Sequence, residues 1–194
     1  MRIGLDLDNT LICYDGLFHR LALESYLIEP ETPPRKNAVR DRVRELHGDL
    51  QWQELQAQGY GPRLPEAEFF PGARQALIRW RDAGHEIHII SHKSVTSGRG
   101  NFRLRDAALA FLEAHAIISL ISGINFAVDQ PQKVKLIRET NCRVMIDDLP
   151  EILRHPDFPP SVARVFFDPD GVRQPDLISC SNWAEIEAAV ESLK

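Results

Sequence analysis

Short apolar runs recur at Arg2 to Leu7, Glu86 to Ser91, Arg143 to Asp147 and Ala163 to Phe167, each rich in Ile, Val or Phe and each closed by polar or turn-forming residues. A continuous apolar run, without alternation, is what a strand buried on both faces requires, so these segments predict the inner strands of a parallel sheet. Between them the apolar spacing shifts to the helical period, most clearly at Ala73 to Ala83, Leu104 to Ala114 and Gln132 to Thr140. Strands that alternate with helices predict an α/β fold with a doubly wound, Rossmann-like parallel sheet. Ile117 to Phe126 supplies one more strand, whose limits are blurred by Gly123 and the paired isoleucines. The last stretch, Asn182 to Leu193, is a helix with Asn182 as N-cap and Ile186, Ala189, Val190 and Leu193 on its inner face.

The alternation lapses between Asp15 and Phe70. No strand pattern occurs there, but helical patterns run over Leu17 to Leu27 and Ala38 to Gln58, parted by Pro30, Pro33 and Pro34 and closed by Gly59, Gly61, Pro62 and Pro65. The expected organisation is therefore a core domain of residues 1–14 and 71–194 interrupted by a small helical insertion, residues 15–70. A chain of 194 residues with 43% hydrophobic positions has enough material for one sizeable core and such an insertion.

Composition excludes some functions. A net charge of −5 is the wrong sign for a general nucleic-acid binder. No segment reaches the roughly 18 apolar residues of a membrane span, and the N-terminus enters a strand pattern without a leader, so a cytoplasmic protein is expected, with no membrane partner. Cys13, Cys142 and Cys180 form no CxxC pair and are odd in number, which predicts free thiols in a reducing compartment.

Two acidic motifs carry the chemistry. The first strand ends in Asp6-Leu7-Asp8-Asn9-Thr10, and ligands of open α/β sheets bind beyond the carboxyl ends of strands. The plainer reading is that Asp8 to Thr10 only form a turn. The strand through Ile146 ends in Asp147-Asp148, which parallel strands would bring to the same edge. Carboxylates gathered there repel one another unless a cation compensates, and an oxygen-only ligand set favours a hard ion, Mg²⁺ above Zn²⁺. Asp148 could instead cap a helix beginning near Pro150.

Taken together, DLDNT at 6–10, Ser91 ending the strand IHIISHK, a Lys at the start of a later helix and the acidic pair in VMIDD resemble the four ordered motifs of the haloacid dehalogenase-like hydrolase superfamily, over nearly the whole chain. The resemblance implies a phosphatase with Asp6 as nucleophile, forming an aspartyl-phosphate, and Asp8 as general acid and base. It implies Mg²⁺ held by the Asp6 carboxylate, the Asp8 backbone carbonyl and Asp148, with Asp147 acting through a water. Ser91 would donate to a phosphoryl oxygen, the His92 amide would lie against the phosphate, and a motif-three lysine would face the transferring group. Lys133 and Lys135 both qualify. Two residues turn a helix by roughly 200°, so only one can face the site, and Lys133 is preferred. Within the family an acid at position 8 implies phosphate esters or anhydrides rather than carbon–halogen or carbon–phosphorus bonds. The insertion falls where this superfamily often carries a cap, which implies a small phosphorylated metabolite as substrate, in the sugar phosphate or nucleoside monophosphate class, for a monomer or homodimer. A phosphate-sensing protein without activity, or a phosphotransferase, would carry the same motifs.

Other features have bland alternatives. Lys93, Arg99, Arg103 and Arg105 either reach a substrate anion or belong to a solvated loop. Arg40, Arg42 and Arg44, interleaved with acids, are expected on a salt-bridged exposed face. Cys13 lies near Asp8 but has no His close by in sequence and is expected to pack as a small apolar residue. Trp52, Trp80 and Trp183 fall on helical patterns and are expected as core or domain-contact residues.

Overall fold

A computed structural model describes residues 1–193, in which the chain forms two compact units: Met1–Ile12, Phe69–Lys93 and the chain from Ala116 onward make the first, Cys13–Glu68 and Ser94–His115 the second. The first unit is built on six strands, β1 (Arg2–Leu5), β2 (Glu86–His92), β3 (Gly123–Ala127), β4 (Val144–Asp147), β5 (Ala163–Phe167) and β6 (Ile178–Cys180). They lie in the order β3-β2-β1-β4-β5-β6, and every neighbouring pair is parallel. This is the doubly wound arrangement expected from the alternating pattern, with β1 in the interior of the sheet and the order reversing beside it.

Helices cover the sheet in two layers. α4 (Ala73–Asp82) packs on α8 (Trp183–Glu191), with Trp80 and Trp183 at a centroid separation of 5.8 Å. α6 (Gln130–Thr140) and α7 (Pro150–Leu153) pack together over Ile90, Met145 and Phe166. Ile3, Leu5, Ile87, Ile89, Val144, Ile146 and Val165 have no exposed surface, which is why those segments lack alternation. Asn182 caps α8 as expected, its side chain accepting from the Glu185 amide at 3.0 Å.

The second unit holds α1 (Asp15–Glu24), α2 (Lys36–His47), α3 (Asp49–Tyr60) and α5 (Leu104–Ala114). Its core is aromatic: the Phe18 ring lies 5.0 Å from Trp52 and 5.4 Å from Tyr60. α1 and α3 approach closely because Gly59 has no side chain, and a Cβ there would come within 2.7 Å of the Phe18 ring. Two short strands, Ile12–Cys13 and Glu68–Phe69, pair with one another where the chain passes between units.

The structure departs from the sequence reading in five places. The helix expected over Ala38 to Gln58 is two helices, because Gly48 takes φ +83°, a left-handed conformation no helix interior tolerates. The strand expected at Ile117 to Phe126 is shortened to β3, its first part being a 3₁₀ turn at Ile118–Leu120. β6 was not anticipated, since half-exposed Ile178 and polar Ser179 make no apolar run. The two short strands were likewise not anticipated. Finally, residues 94–115 join the second unit, although the expected boundary placed them in the core domain. α5 packs on α3 and on the 3₁₀ turn Leu64–Glu66, so its apolar face belongs with the insertion helices.

Candidate active site

The site lies at the carboxyl edge of the sheet. The Asp6 amide extends the β1–β4 ladder by donating to Ile146 at 2.9 Å, after which the chain turns sharply. Both Leu11 and Ile12 donate to the Leu7 carbonyl and Asn9 donates to Ile12, with Asn9 at φ +59°. Asn tolerates this left-handed position better than most residues, so the turn is built on its polar side chain rather than on glycine. The turn is anchored in its own unit: the Trp183 indole donates to the Thr10 carbonyl at 3.1 Å, and the Thr10 hydroxyl to Asp148 at 3.4 Å.

β4 delivers Asp147, which is fully buried, and Asp148 follows it. The alternative that Asp148 caps the next helix does not hold: the cap residue of α7 is Leu149, and its amide donates to Asp147 at 3.1 Å. α6 supplies the lysine. Asp129 caps this helix by accepting from the Gln132 amide at 2.8 Å, which fixes its first turn and turns Lys133 inward. Lys133 is 1% exposed, with Nζ 2.6 Å from Asp6 and 2.7 Å from Asp147. Lys135 is exposed and pairs with Glu139 along the helix, so of the two lysines it is Lys133 that reaches the carboxylates. Ser91, at the end of β2, is buried, and among the described residues its hydroxyl has no hydrogen-bond partner. His92 follows with its ring on the Val128 carbonyl at 2.9 Å, which leaves the imidazole no part in the site.

The sequence assigns Lys93 no definite role. It is neither a solvated loop residue nor exposed: it is 3% exposed, and its Nζ lies 2.6 Å from Asp8. A signal was present, because side chains alternate along a strand and Lys93 stands two residues beyond Ser91, on the same face. Of the other cations in that group, Arg99 pairs with Glu54 and Arg103 with Asp106 at the surface, while Arg105 lies half-buried in the first turn of α5. Arg40, Arg42 and Arg44 are tied to Asp41, to Glu29 and Glu45, and to Asp49, as expected of an exposed charged face. Cys13, Cys142 and Cys180 are free, and burial pushes all three thiols up, Cys142 and Cys180 to about 11, so none is poised as a nucleophile.

Four carboxylates, Asp6, Asp8, Asp147 and Asp148, stand against two ammoniums, Lys93 and Lys133. Burial pushes Asp6 and Asp147 well above the usual carboxylate range, with Lys133 pulling the other way in each case. Burial alone would push Lys133 down, but Asp147 and Asp6 together hold it protonated. The excess charge is negative, so what this pocket lacks is positive charge, supplied by protons or by a cation. Oxygens of Asp6, Asp147 and Asp148 lie within 4.8 Å of one another, and an all-oxygen set with two uncompensated negative charges fits a hard divalent ion.

This gives a sign to the effect of pH. Asp6 and Asp147 have raised affinity for protons in the folded metal-free protein, so the stability they contribute is complete below the usual carboxylate range and declines as pH rises toward neutrality. A divalent cation competes with those protons. Saturating Mg²⁺ should therefore raise Tm by several degrees at pH 8, on the order of what a hundredfold excess over Kd confers, and by much less at pH 5. Differential scanning calorimetry at both pH values checks this, and equal shifts would place the ion elsewhere.

No protein-family profile and no curated protein matches the sequence. Among solved structures, the chain is similar to a dehalogenase (TM-score 0.62, 13% identity, covering 97% of this chain and 96% of that one). It is also similar to a HAD family hydrolase from Deinococcus radiodurans R1 with bound phosphate and sodium (TM-score 0.60, 14% identity, 99% and 95% covered). A third is a predicted phosphoglycolate phosphatase from Haemophilus somnus 129PT (TM-score 0.59, 14% identity, 97% and 96% covered). Among the described residues no helix is long and apolar enough to cross a membrane.

Proposed function

Since this chain has the fold of the haloacid dehalogenase-like superfamily, we propose that it is a Mg²⁺-dependent phosphatase that hydrolyses a small phosphate monoester with Asp6 as nucleophile. The observation that carries this reading is Lys133, buried between Asp6 and Asp147. An ammonium in that place serves an anionic nucleophile that must meet an anionic substrate, and in a water-poor pocket it stabilises charge on the transferring group. A carbon–halogen substrate offers no comparable anion at the reacting centre, and Asp8 would have no leaving oxygen to protonate.

Asp6 would attack phosphorus in line while the bond to the leaving oxygen breaks, and Asp8 would give that oxygen a proton. In the second half, Asp8 would take a proton from water as the water oxygen displaces Asp6. The buried Ser91 hydroxyl would donate to a phosphoryl oxygen, which supplies the partner it otherwise lacks. Asp6, Asp147 and Asp148 would hold Mg²⁺, which supplies neutralisation for the meeting of two anions.

The second unit is proposed as the cap that selects the leaving group. The catalytic groups read phosphate alone, so discrimination must arise elsewhere. The unit contains a cavity of about 310 Å³ whose lining joins apolar surface of Ala57, Tyr60 and Leu104 to the polar groups of Gln53, Gln56 and Arg99, a mixture able to take a leaving group with both an apolar face and hydrogen-bonding atoms. The test is phosphate release over a panel of sugar phosphates, nucleoside monophosphates and aryl phosphates, with Mg²⁺ and after thorough chelation. Release from at least one metabolite that stops on chelation is expected and returns when Mg²⁺ is restored. Rates indifferent to chelation would remove the ion, and absence of release from every member would remove the phosphatase.

A further inference from the structure

One buried charge in the first unit has no part in the reaction as described so far. Lys93 is 3% exposed and its backbone amide donates to Ala127 at 3.0 Å, which carries the β2–β3 ladder one residue past His92. Its side chain is thus launched from rigid sheet, on the face that carries Ser91, and reaches Asp8 at 2.6 Å. Asp8, by contrast, stands on the tight turn after β1 and is about a fifth exposed. Stripping an ammonium of water is costly, and packing does not demand it, since a Met would fill the same space.

We infer that Lys93 is a positioning residue for proton transfer: by holding one oxygen of Asp8, it fixes the rotation of that carboxyl and hence the direction in which Asp8 exchanges a proton. The inference rests on the phosphatase reading above. In the first half-reaction the proton of Asp8 passes to the leaving oxygen as the P–O bond breaks, and the carboxylate so formed remains paired with Lys93. In the second, the same carboxylate accepts a proton from the attacking water while the bond between Asp6 and phosphorus breaks. Lys93 acts on the reaction through Asp8 alone. Orientation matters because a general acid must lie within hydrogen-bond reach of the atom it protonates, and a carboxyl rotated away contributes nothing.

The consequence is selective. A poor leaving group, such as an alkoxide, depends on the proton, whereas a dinitrophenolate departs without one. The experiment measures kcat/KM, which reports steps up to departure of the leaving group, for phosphate monoesters from alkyl to dinitrophenyl, in wild type and Lys93→Met with Mg²⁺ present. The variant should lose on the order of a hundredfold on the alkyl ester and little on the dinitrophenyl ester, so that the dependence on leaving-group basicity steepens. An equal loss across the series in a folded variant would show a merely structural role and overturn the inference. Should Lys93→Met not fold, Lys93→Gln is read by the same comparison, and the Mg²⁺-induced rise in Tm reports whether the carboxylate cluster is intact. A wild-type protein inactive on every ester rejects the phosphatase reading, and this inference with it, whereas a uniform loss in a variant of an active enzyme rejects the inference alone.

Discussion

Asp6→Asn should fold and lose turnover by on the order of 10⁴-fold or more, because the amide cannot form the bond to phosphorus on which both half-reactions depend. The same substitution should leave the metal-free protein as stable as wild type or more so near neutral pH. It removes one of the negative charges that burial disfavours, and Lys133 keeps Asp147 as a partner at 2.7 Å. Loss of function with retained or increased stability is the signature of a residue kept for chemistry at a cost to the fold. Asp8→Asn should behave differently, retaining some ability to form the intermediate from an activated ester while failing to hydrolyse it. Phosphate release, calorimetry and mass detection of phosphorylated protein after acid quench test all three statements. Robust turnover by Asp6→Asn would overturn the assignment of the nucleophile.

The second large effect separates two lysines one half-turn apart. Lys133→Ala should lose about 10³-fold in kcat/KM, equivalent to about 4 kcal/mol of barrier, through removal of the ammonium that faces Asp6. It should also destabilise the metal-free protein by about 3–5 kcal/mol, the usual consequence of leaving buried charge unpaired. That destabilisation should shrink as the pH is lowered, since Asp6 and Asp147 then take up protons in place of the missing cation. Lys135→Ala should change stability by no more than about 0.5 kcal/mol and leave kcat/KM unaltered, because its partner Glu139 is as exposed as it is. Parallel steady-state assays and melts of both variants decide the matter, and comparable losses in the two would refute the placement of Lys133.

What was legible beforehand follows the physics of each element. β1, β2, β4 and β5 announce themselves because strands buried on both faces must be apolar throughout, and the acids at their ends stand out against that background. β6 lies at the sheet edge with half-exposed residues, so nothing distinguishes it from a loop. The helix Leu104–Ala114 is legible with its observed limits, whereas its packing on α3 is not, because an apolar stripe states that a face is buried and not against what. Asp6, Asp147 and Lys133 were found through their order along the chain, while their convergence within hydrogen-bonding distance is a property of the fold alone. Lys93 escaped assignment because it follows its strand into a stretch of Ser, Gly and Arg, which reads as solvated.

The position of β1 bears on how the chain reaches this state. Of the six strands of the sheet, the one that leads into the proposed nucleophile is made before the others, yet its neighbours are β2 and β4, whose registers join Ile3 to Ile87 and to Val144. Loop closure over such separations is entropically expensive, so sheets of this kind form slowly. On a ribosome adding about 5–20 residues per second, an apolar strand complete at Leu5 would wait on the order of ten seconds for its second partner. Throughout that interval the edge that β4 later covers is open to other chains, and yield on expression should depend on how this strand is sheltered until β4 emerges.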